Sequence, residues 1–222
     1  MKKLTEIKTE DGSVSYRNKI IDETYHTKSG AIEEAFEKHA KPLKIWEKNN
    51  PVIYDVCFGI GYNAVAAIDL IKEKNPDSKI IIYCFENDMD ILEKCLEINP
   101  KFKNYSIIKE FVKNFIKNNK TSLESNNVKL IMMFGDAKIQ INNVKENADY
   151  VFFDPFSPKK HPKMWEKEFF SNIFSKMNSS GMLSTYSFAR IVKDNLKSVG
   201  FVVKPGPIIG RRSPSTIGIK EK

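Results

Sequence analysis

The chain alternates between two kinds of segment. Residues 52–58, 79–85, 128–134 and 150–153 are continuous apolar runs bounded by turn residues, and each predicts a strand buried on both faces. Residues 63–74, 88–98, 111–118, 164–177 and 191–199 carry apolar side chains at helical spacing, the second with an acidic first turn. Residues 181–187, 201–203 and 216–219 read as later strands. Before this series, residues 4–9 and 13–16 flank Asp11-Gly12 and predict a β-hairpin. Residues 22–30 read as a polar loop and 31–46 as one helix, and 118–127 as a loop between elements. Buried strands alternating with helices predict an α/β fold, a mostly parallel doubly wound sheet behind a short N-terminal β-hairpin.

Length and composition narrow this picture. A chain of 222 residues with 41% hydrophobic residues can bury a core, which argues against disorder and for one domain over 1–222. Within it we expect an N-terminal hairpin and active-site segment (1–30), a cofactor half (51–137) and a substrate half (138–222). No apolar run approaches the roughly 20 residues of a membrane helix. The Met1-Lys2-Lys3-Leu4-Thr5-Glu6 start lacks the apolar stretch of a secretory signal, so a cytoplasmic location is expected. Cys57, Cys84 and Cys95 show no paired spacing and read as small buried hydrophobes in a reducing compartment. With three histidines and no Cys/His cluster, no metal site is expected.

Charge adds a partner. The net charge of +8 divides into +1 for residues 1–50, −3 for 51–110 and +10 for 111–222. Such an asymmetry fits a face that meets a polyanion, or a lysine-rich genome whose lysines are solvated one by one.

The candidate chemistry follows the strands, because doubly wound sheets bind ligands at their strands' carboxyl ends. After the first strand comes Asp55-Val56-Cys57-Phe58-Gly59-Ile60-Gly61-Tyr62-Asn63, where Gly59 and Gly61 allow a tight turn and close backbone approach by a ligand. The second strand ends at Glu86-Asn87-Asp88, where a carboxylate can accept two hydrogen bonds from a ribose diol. The third ends at Gly135-Asp136-Ala137, placed to receive an adenine amine. Three such elements in order predict a nucleoside-containing cofactor. NAD and S-adenosyl-L-methionine (SAM) both fit the first two, and Gly-Asp-Ala favours SAM. The fourth strand runs into Asp154-Pro155-Phe156-Ser157-Pro158-Lys159-Lys160-His161-Pro162, a loop stiffened by proline that delivers Asp154 beside the cofactor. Met164, Trp165, Phe169 and Phe170 recur at helical spacing and read as core.

The Asp154–Trp165 stretch, Asp-Pro-Phe-Ser-Pro-Lys-Lys-His-Pro-x-Met-Trp, resembles the signature of the MnmC methyltransferase domain, which forms 5-methylaminomethyluridine in tRNA. The segment Glu23–Glu34, the loop Phe58–Ala64 and Gly210-Arg211-Arg212-Ser213-Pro214 are similar to further elements of that family, and His161 stands where the family pattern leads us to expect Asn. The resemblance implies a Rossmann-like class I SAM-dependent methyltransferase. Its reaction is methylation of the exocyclic amine of 5-aminomethyluridine at the tRNA wobble position. It implies Asp154 as the catalytic carboxylate, which accepts a hydrogen bond from the amine, aims its lone pair and takes its proton or relays it to water. Tyr25, Gly59, Gly61, Asn63, Glu86, Asn87, Gly135, Asp136 and Asp154 would then hold the cofactor. His26, Pro155, Phe156, Lys159, Lys160, Arg211 and Arg212 would meet substrate, Phe156 by stacking on the extruded base or by plain packing. The anticodon stem-loop of tRNA would be the partner. The family's two-part members also carry an FAD-dependent oxidoreductase, for which this chain has no second dinucleotide loop, so a separate enzyme would supply the aminomethyl group.

Two other classes compete. Spermidine synthases share the nucleoside-binding order and an Asp loop leading to Glu-Phe-Phe, here Glu168-Phe169-Phe170, although a basic C-terminal half suits a polyamine poorly. A non-catalytic RNA-binding protein on the same fold would bind tRNA in a salt-dependent way without SAM affinity.

Overall fold

The computed structural model describes residues 3–210 and 212–221. Its centre is an eight-stranded sheet built from the apolar runs. The strands are Val52–Val56 (β4), Ile80–Glu86 (β5), Ser122–Ser125 (β6), Val128–Phe134 (β7), Ala148–Phe153 (β8), Met177–Thr185 (β9), Phe201–Pro205 (β10) and Thr216–Lys220 (β11). Their order is β10-β11-β9-β8-β4-β5-β7-β6. Pairing is parallel from β9 through β7, while β6 and β11 run antiparallel to their neighbours. The winding reverses between β4 and β8, so their carboxyl ends flank the crevice where this architecture binds ligands.

Alternation along each strand divides the core. Ile53, Ile82, Cys84, Leu130 and Phe152 face a layer made by Tyr62–Lys74 (α2), Met89–Glu97 (α3), Tyr105–Asn118 (α4) and the N-terminal elements. Tyr54, Val56, Tyr83, Phe85, Val151 and Phe153 face the opposite layer of Ala137–Gln140 (α5), Lys167–Ser175 (α6) and Arg190–Ser198 (α7). Met164, Trp165, Phe169 and Phe170 are buried in that second layer, as core. Among the described residues no helix is long and apolar enough to cross a membrane.

Several elements differ from the sequence pattern, each for a local reason. The hairpin forms from Leu4–Lys8 (β1) and Val14–Asn18 (β2), but the expected polar loop contributes Glu23–Thr24 (β3), a third antiparallel strand. The 31–46 segment is not one helix. Ala31–Glu34 (α1) is α-helical, Ala35–Ala40 widens into a π-helix, and a 3-10 turn over Ile45–Glu47 follows a left-handed Lys44. Asp11 Oδ2 accepts the Ile32 and Glu33 N–H groups at 3.2 Å each and so caps α1 from the hairpin turn. The wide turn then gathers Glu34, Lys38 and His39, all buried, on the inner side. The 118–127 loop contains the edge strand β6, whose exposed polar residues carry no burial signal. The helix expected over 164–177 is split. A 3-10 turn over Pro162–Trp165 is held by the Trp165 indole N–H, which donates to Phe156 O at 2.8 Å, and extended Glu166 restarts the chain as α6. Met177 already pairs with Ala148 as the start of β9.

Candidate active site

Three strand ends supply the cofactor side. β4 stops at Val56 rather than 58, and Cys57, Gly59 and Gly61 follow with φ of 69°, 57° and 76°. Gly61 is required for space as well as for its backbone, since a Cβ there would lie 2.7 Å from Phe58 Cζ and 2.8 Å from Ile108 Cγ2. Gly59 differs: a Cβ would meet nothing nearer than the Tyr25 ring at 3.5 Å. Cys57 is half-buried and lines the cavity, which corrects its expected place inside a strand core, whereas Cys84 and Cys95 are buried as expected. Glu86, at the end of β5, accepts N–H donors from Gly59 (2.8 Å), Asn87 (2.8 Å) and Asp88 (2.9 Å). Burial raises its pKa and these three donors oppose the rise without cancelling it. Asp136 caps α5 by accepting the Lys138 N–H at 2.9 Å.

These ends open into a cavity of about 350 Å³. Tyr25, His26, Gly59, Asn63, Glu86, Asn87, Gly135, Asp136, Asp154, Pro155 and Phe156 line it, so most sequence-selected residues converge on one space. Gly61 stands behind it in the turn, and Lys159, Lys160 and Arg212 are exposed outside it. Lys160 Nζ pairs with Asp22 at 3.2 Å. Arg211 lies outside the described residues. The lining carboxylates, Glu23, Glu34, Glu86, Asp88, Asp136 and Asp154, outnumber Lys138 and Lys163, so the basic excess of the C-terminal half does not reach the interior.

The N-terminal strap crosses this cavity. Tyr25 Oη donates to Asp88 Oδ2 at 3.3 Å, and the Tyr25 ring meets Phe156 edge-on at 4.9 Å between centroids. Glu23 Oε2 accepts both the backbone N–H (2.9 Å) and the hydroxyl (3.0 Å) of Ser157, tying the strap to the loop after β8. His26 Nδ1 lies 2.9 Å from Ser15 Oγ, and burial pushes the imidazole below its ordinary value, so it is neutral near pH 7.

Asp154 leaves β8 with its N–H on Val56 O at 3.1 Å. Its Oδ2 accepts the Asn63 amide N–H at 3.1 Å and lies 3.7 Å from His39 Nε2. Burial would raise this carboxyl, but His39, then His26 and the Asn63 amide, outweigh it and hold the group at about 2. A carboxylate held that low accepts hydrogen bonds and balances positive charge, and it is a weak proton acceptor. Such a group is suited to accepting a hydrogen bond rather than to storing a proton. On adjacent β4, Asp55 is fully buried, and among the described residues neither carboxyl oxygen has a well-formed hydrogen bond. Burial, then the Asp154 charge, pushes it well above the carboxylate range. Two neighbouring acids thus hold opposite protonation states.

The sequence reading missed His39, Ser184, Glu34, Lys38 and Asp55. Lys38 Nζ donates to Glu34 Oε1, and Glu34 Oε2 accepts the Thr27 N–H at 2.7 Å, an inner polar floor beneath His26. Asp55 left one signal, an acid inside an apolar strand. His39 left none, because within a helical pattern it resembles any polar position.

The site fits S-adenosyl-L-methionine. Gly59 lines the cavity with no side chain between its backbone and a ligand, and the Glu86 carboxylate has used three of about four lone-pair sites, leaving acceptor capacity for a ribose hydroxyl. A family model described as S-adenosyl-L-methionine-dependent methyltransferase matches residues 101–221. The uncharacterized protein MJ0670 of Methanocaldococcus jannaschii is 33% identical over 96% of this chain and 59% of its own length. The tRNA 5-methylaminomethyl-2-thiouridine biosynthesis bifunctional protein MnmC of Marinomonas sp. is 27% identical over 89% of this chain, which spans only 31% of that protein. The crystal structure of MNMC2 from Aquifex aeolicus superposes with a TM-score of 0.81 at 31% identity, covering 97% of this chain and 70% of that one. The fold, the cofactor cradle and these matches agree: the chain belongs to this family of S-adenosyl-L-methionine-dependent methyltransferases.

Proposed function

We propose that this chain methylates the exocyclic amine of 5-aminomethyluridine at the wobble position of tRNA, giving 5-methylaminomethyluridine. The observation that carries the reading is Asp154, an ionised carboxylate that lines the cavity and keeps Oδ1 without a hydrogen bond among the described residues. S-Adenosyl-L-methionine, when bound, would supply an activated sulfonium methyl for transfer to a neutral amine, an N–C bond forming as the C–S bond breaks, with S-adenosylhomocysteine and a methylated ammonium as products. Gly59, Glu86, Asn87 and Asp136 would hold it.

The protein's part is positioning and charge. Asp154 Oδ1 accepts an N–H of the amine, which aims the lone pair, and the fixed negative charge stabilises the cation that forms on nitrogen. An alkylamine arrives mostly protonated, and the neutral His26 imidazole lining the same cavity is placed to take that proton. Phe156 and Tyr25 offer ring faces to a base drawn out of the anticodon loop, and the exposed Lys159 and Arg212 outside the cavity suit its phosphates. With no membrane-spanning helix among the described residues, action on tRNA in the cytoplasm fits.

Mass spectrometry of wobble nucleosides tests the reading, after incubating the protein and SAM with tRNA bearing the unmethylated 5-aminomethyl group. A gain of one methyl at that nucleoside is expected, with a loss of about 10²-fold or more in Asp154→Ala. No gain, or full activity of the variant, refutes it. The acidic lining favours a second reading, aminopropyl or other transfer to a small cationic amine, since the expected charge argument against it fails inside the cavity. Turnover of decarboxylated SAM with putrescine would establish that reading instead.

A further inference from the structure

A polar side chain that is fully buried, touches no ligand space and bridges two distant parts of the chain needs a reason to be there. His39 is 1% exposed and does not line the cavity. Its Nδ1 lies 3.0 Å from Ser184 Oγ, 145 residues away in sequence. Ser184 is 0% exposed and sits on β9, in register with Phe152 of β8, two residues before Asp154. The other ring nitrogen, Nε2, faces Asp154 Oδ2 at 3.7 Å.

We propose that His39, anchored by Ser184, is a positioning residue that fixes the Asp154 carboxylate through Oδ2 and leaves Oδ1 turned to the substrate nitrogen. This rests on the reading of Asp154 given above. Both groups that hold the carboxylate, the Asn63 amide at 3.1 Å and His39, act on the same oxygen. An ionised Asp154 beside Nε2 favours an N–H there over a lone pair, and the Ser184 hydroxyl, which can donate or accept, then donates to the bare Nδ1. A hydroxyl that donates to Nδ1 leaves the proton on Nε2, and a doubly protonated ring carries one there as well. In either state an N–H, not a lone pair, faces the carboxylate. The 3.7 Å separation is longer than a hydrogen bond, as such contacts often are before substrate binds. The charged and titratable groups around this pair include His26 from the strap, Glu34 and Lys38 from the same helical segment, Asp55 from β4 and Cys57 from the turn after it. Of these Asp55 is held in its neutral form by burial and the Asp154 charge, so burial is what opposes an ionised Asp154, and His39 leads the groups that offset it.

The test compares His39→Phe, His39→Gln, Ser184→Ala and Asp154→Asn. Methyl transfer from SAM to tRNA bearing the unmethylated aminomethyl group is measured alongside S-adenosylhomocysteine affinity. A ¹³C-carboxyl NMR titration of the protein alone is recorded, with the Asp154 signal assigned by its loss in Asp154→Asn. We expect His39→Phe to lower kcat about 10²-fold with S-adenosylhomocysteine affinity unchanged. Gln, which returns an N–H toward Asp154, recovers most of the loss, and Ser184→Ala lowers kcat about tenfold. In the wild type Asp154 stays ionised below about pH 4, and in His39→Phe its titration moves up in pH. Wild-type kcat in His39→Phe, or a loss of kcat without movement of the titration, overturns the positioning role. Full activity of Asp154→Asn overturns the reading beneath it as well. If His39→Phe does not fold, His39→Gln and Ser184→Ala carry the same comparison through the titration and the kcat ratio.

Discussion

Gly59 and Gly61 share left-handed backbone, yet replacing each with alanine should fail in different ways. Any residue with a Cβ held at such a φ costs about 1–2 kcal/mol, and both variants incur this. For Gly59→Ala that is nearly the whole stability cost, since the new methyl group meets the Tyr25 ring at 3.5 Å and Cys57 O at 3.9 Å, both ordinary contact distances. The methyl group instead enters the cavity, where it removes the close approach the cofactor needs. For Gly61→Ala the Cβ would overlap Phe58 and Ile108 at 2.7 and 2.8 Å. Neither can retreat, because both are buried and Phe58 packs edge-on against Phe111. Overpacking of this kind costs about 1–3 kcal/mol more, for a total of about 2–5 kcal/mol. Urea unfolding with unchanged m-value gives the stabilities, and calorimetry with S-adenosylhomocysteine at low temperature gives the affinities. The expected pattern is a Gly59→Ala protein that is folded and weak in binding, and a Gly61→Ala protein that is unstable but binds normally in its folded fraction. The reverse pattern, or equal stability losses, would show that the two turns are not packed as described.

Two further outcomes follow from buried charge. Lys38→Met should destabilise the fold by about 3–5 kcal/mol, because it strands the Glu34 carboxylate among groups only 2% and 9% exposed, and adding Glu34→Gln should restore most of that stability; chemical denaturation of the single and double variants checks both. Asp11 is held below its ordinary value of 3.8, where burial opposes and the hydroxyls of Ser13 and Thr9 and the Ser13 and Glu33 N–H groups prevail. A depressed carboxyl stabilises the fold above its unfolded-state value and loses that contribution as pH falls through the folded one. The stability gap between the wild type and Asp11→Asn should therefore be full at pH 7 and close only below 3.8; a gap that persists unchanged in stronger acid would contradict the capping role.

Legibility in the sequence tracked the range of the physics involved. β4, β5, β7 and β8 announced themselves because strands covered on both faces must be apolar throughout. Gly59, Glu86, Asp136 and Asp154 could be chosen because a doubly wound sheet delivers whatever follows each strand to the same edge. Edge strands β3 and β6 escaped notice because two to four residues, mostly polar and none of them buried, carry too short a pattern to read. The π-turn over Ala35–Ala40 escaped because hydrophobic spacing does not separate one helical pitch from another over six residues.

By itself the sequence determined the order of strands and helices, the glycine turn and the acids at the strand ends, since periodicity, backbone freedom and chain direction are local properties. Only the tertiary structure decided the state of those acids. Asp55 and Asp154 are the same residue type at the ends of neighbouring strands, but among the described residues one is buried without a well-formed hydrogen bond, while the other faces His39, itself bonded to Ser184, and accepts from Asn63. A carboxyl's charge is set by the dielectric and dipoles within a few ångströms, and those neighbours come from positions up to 145 residues apart in the chain.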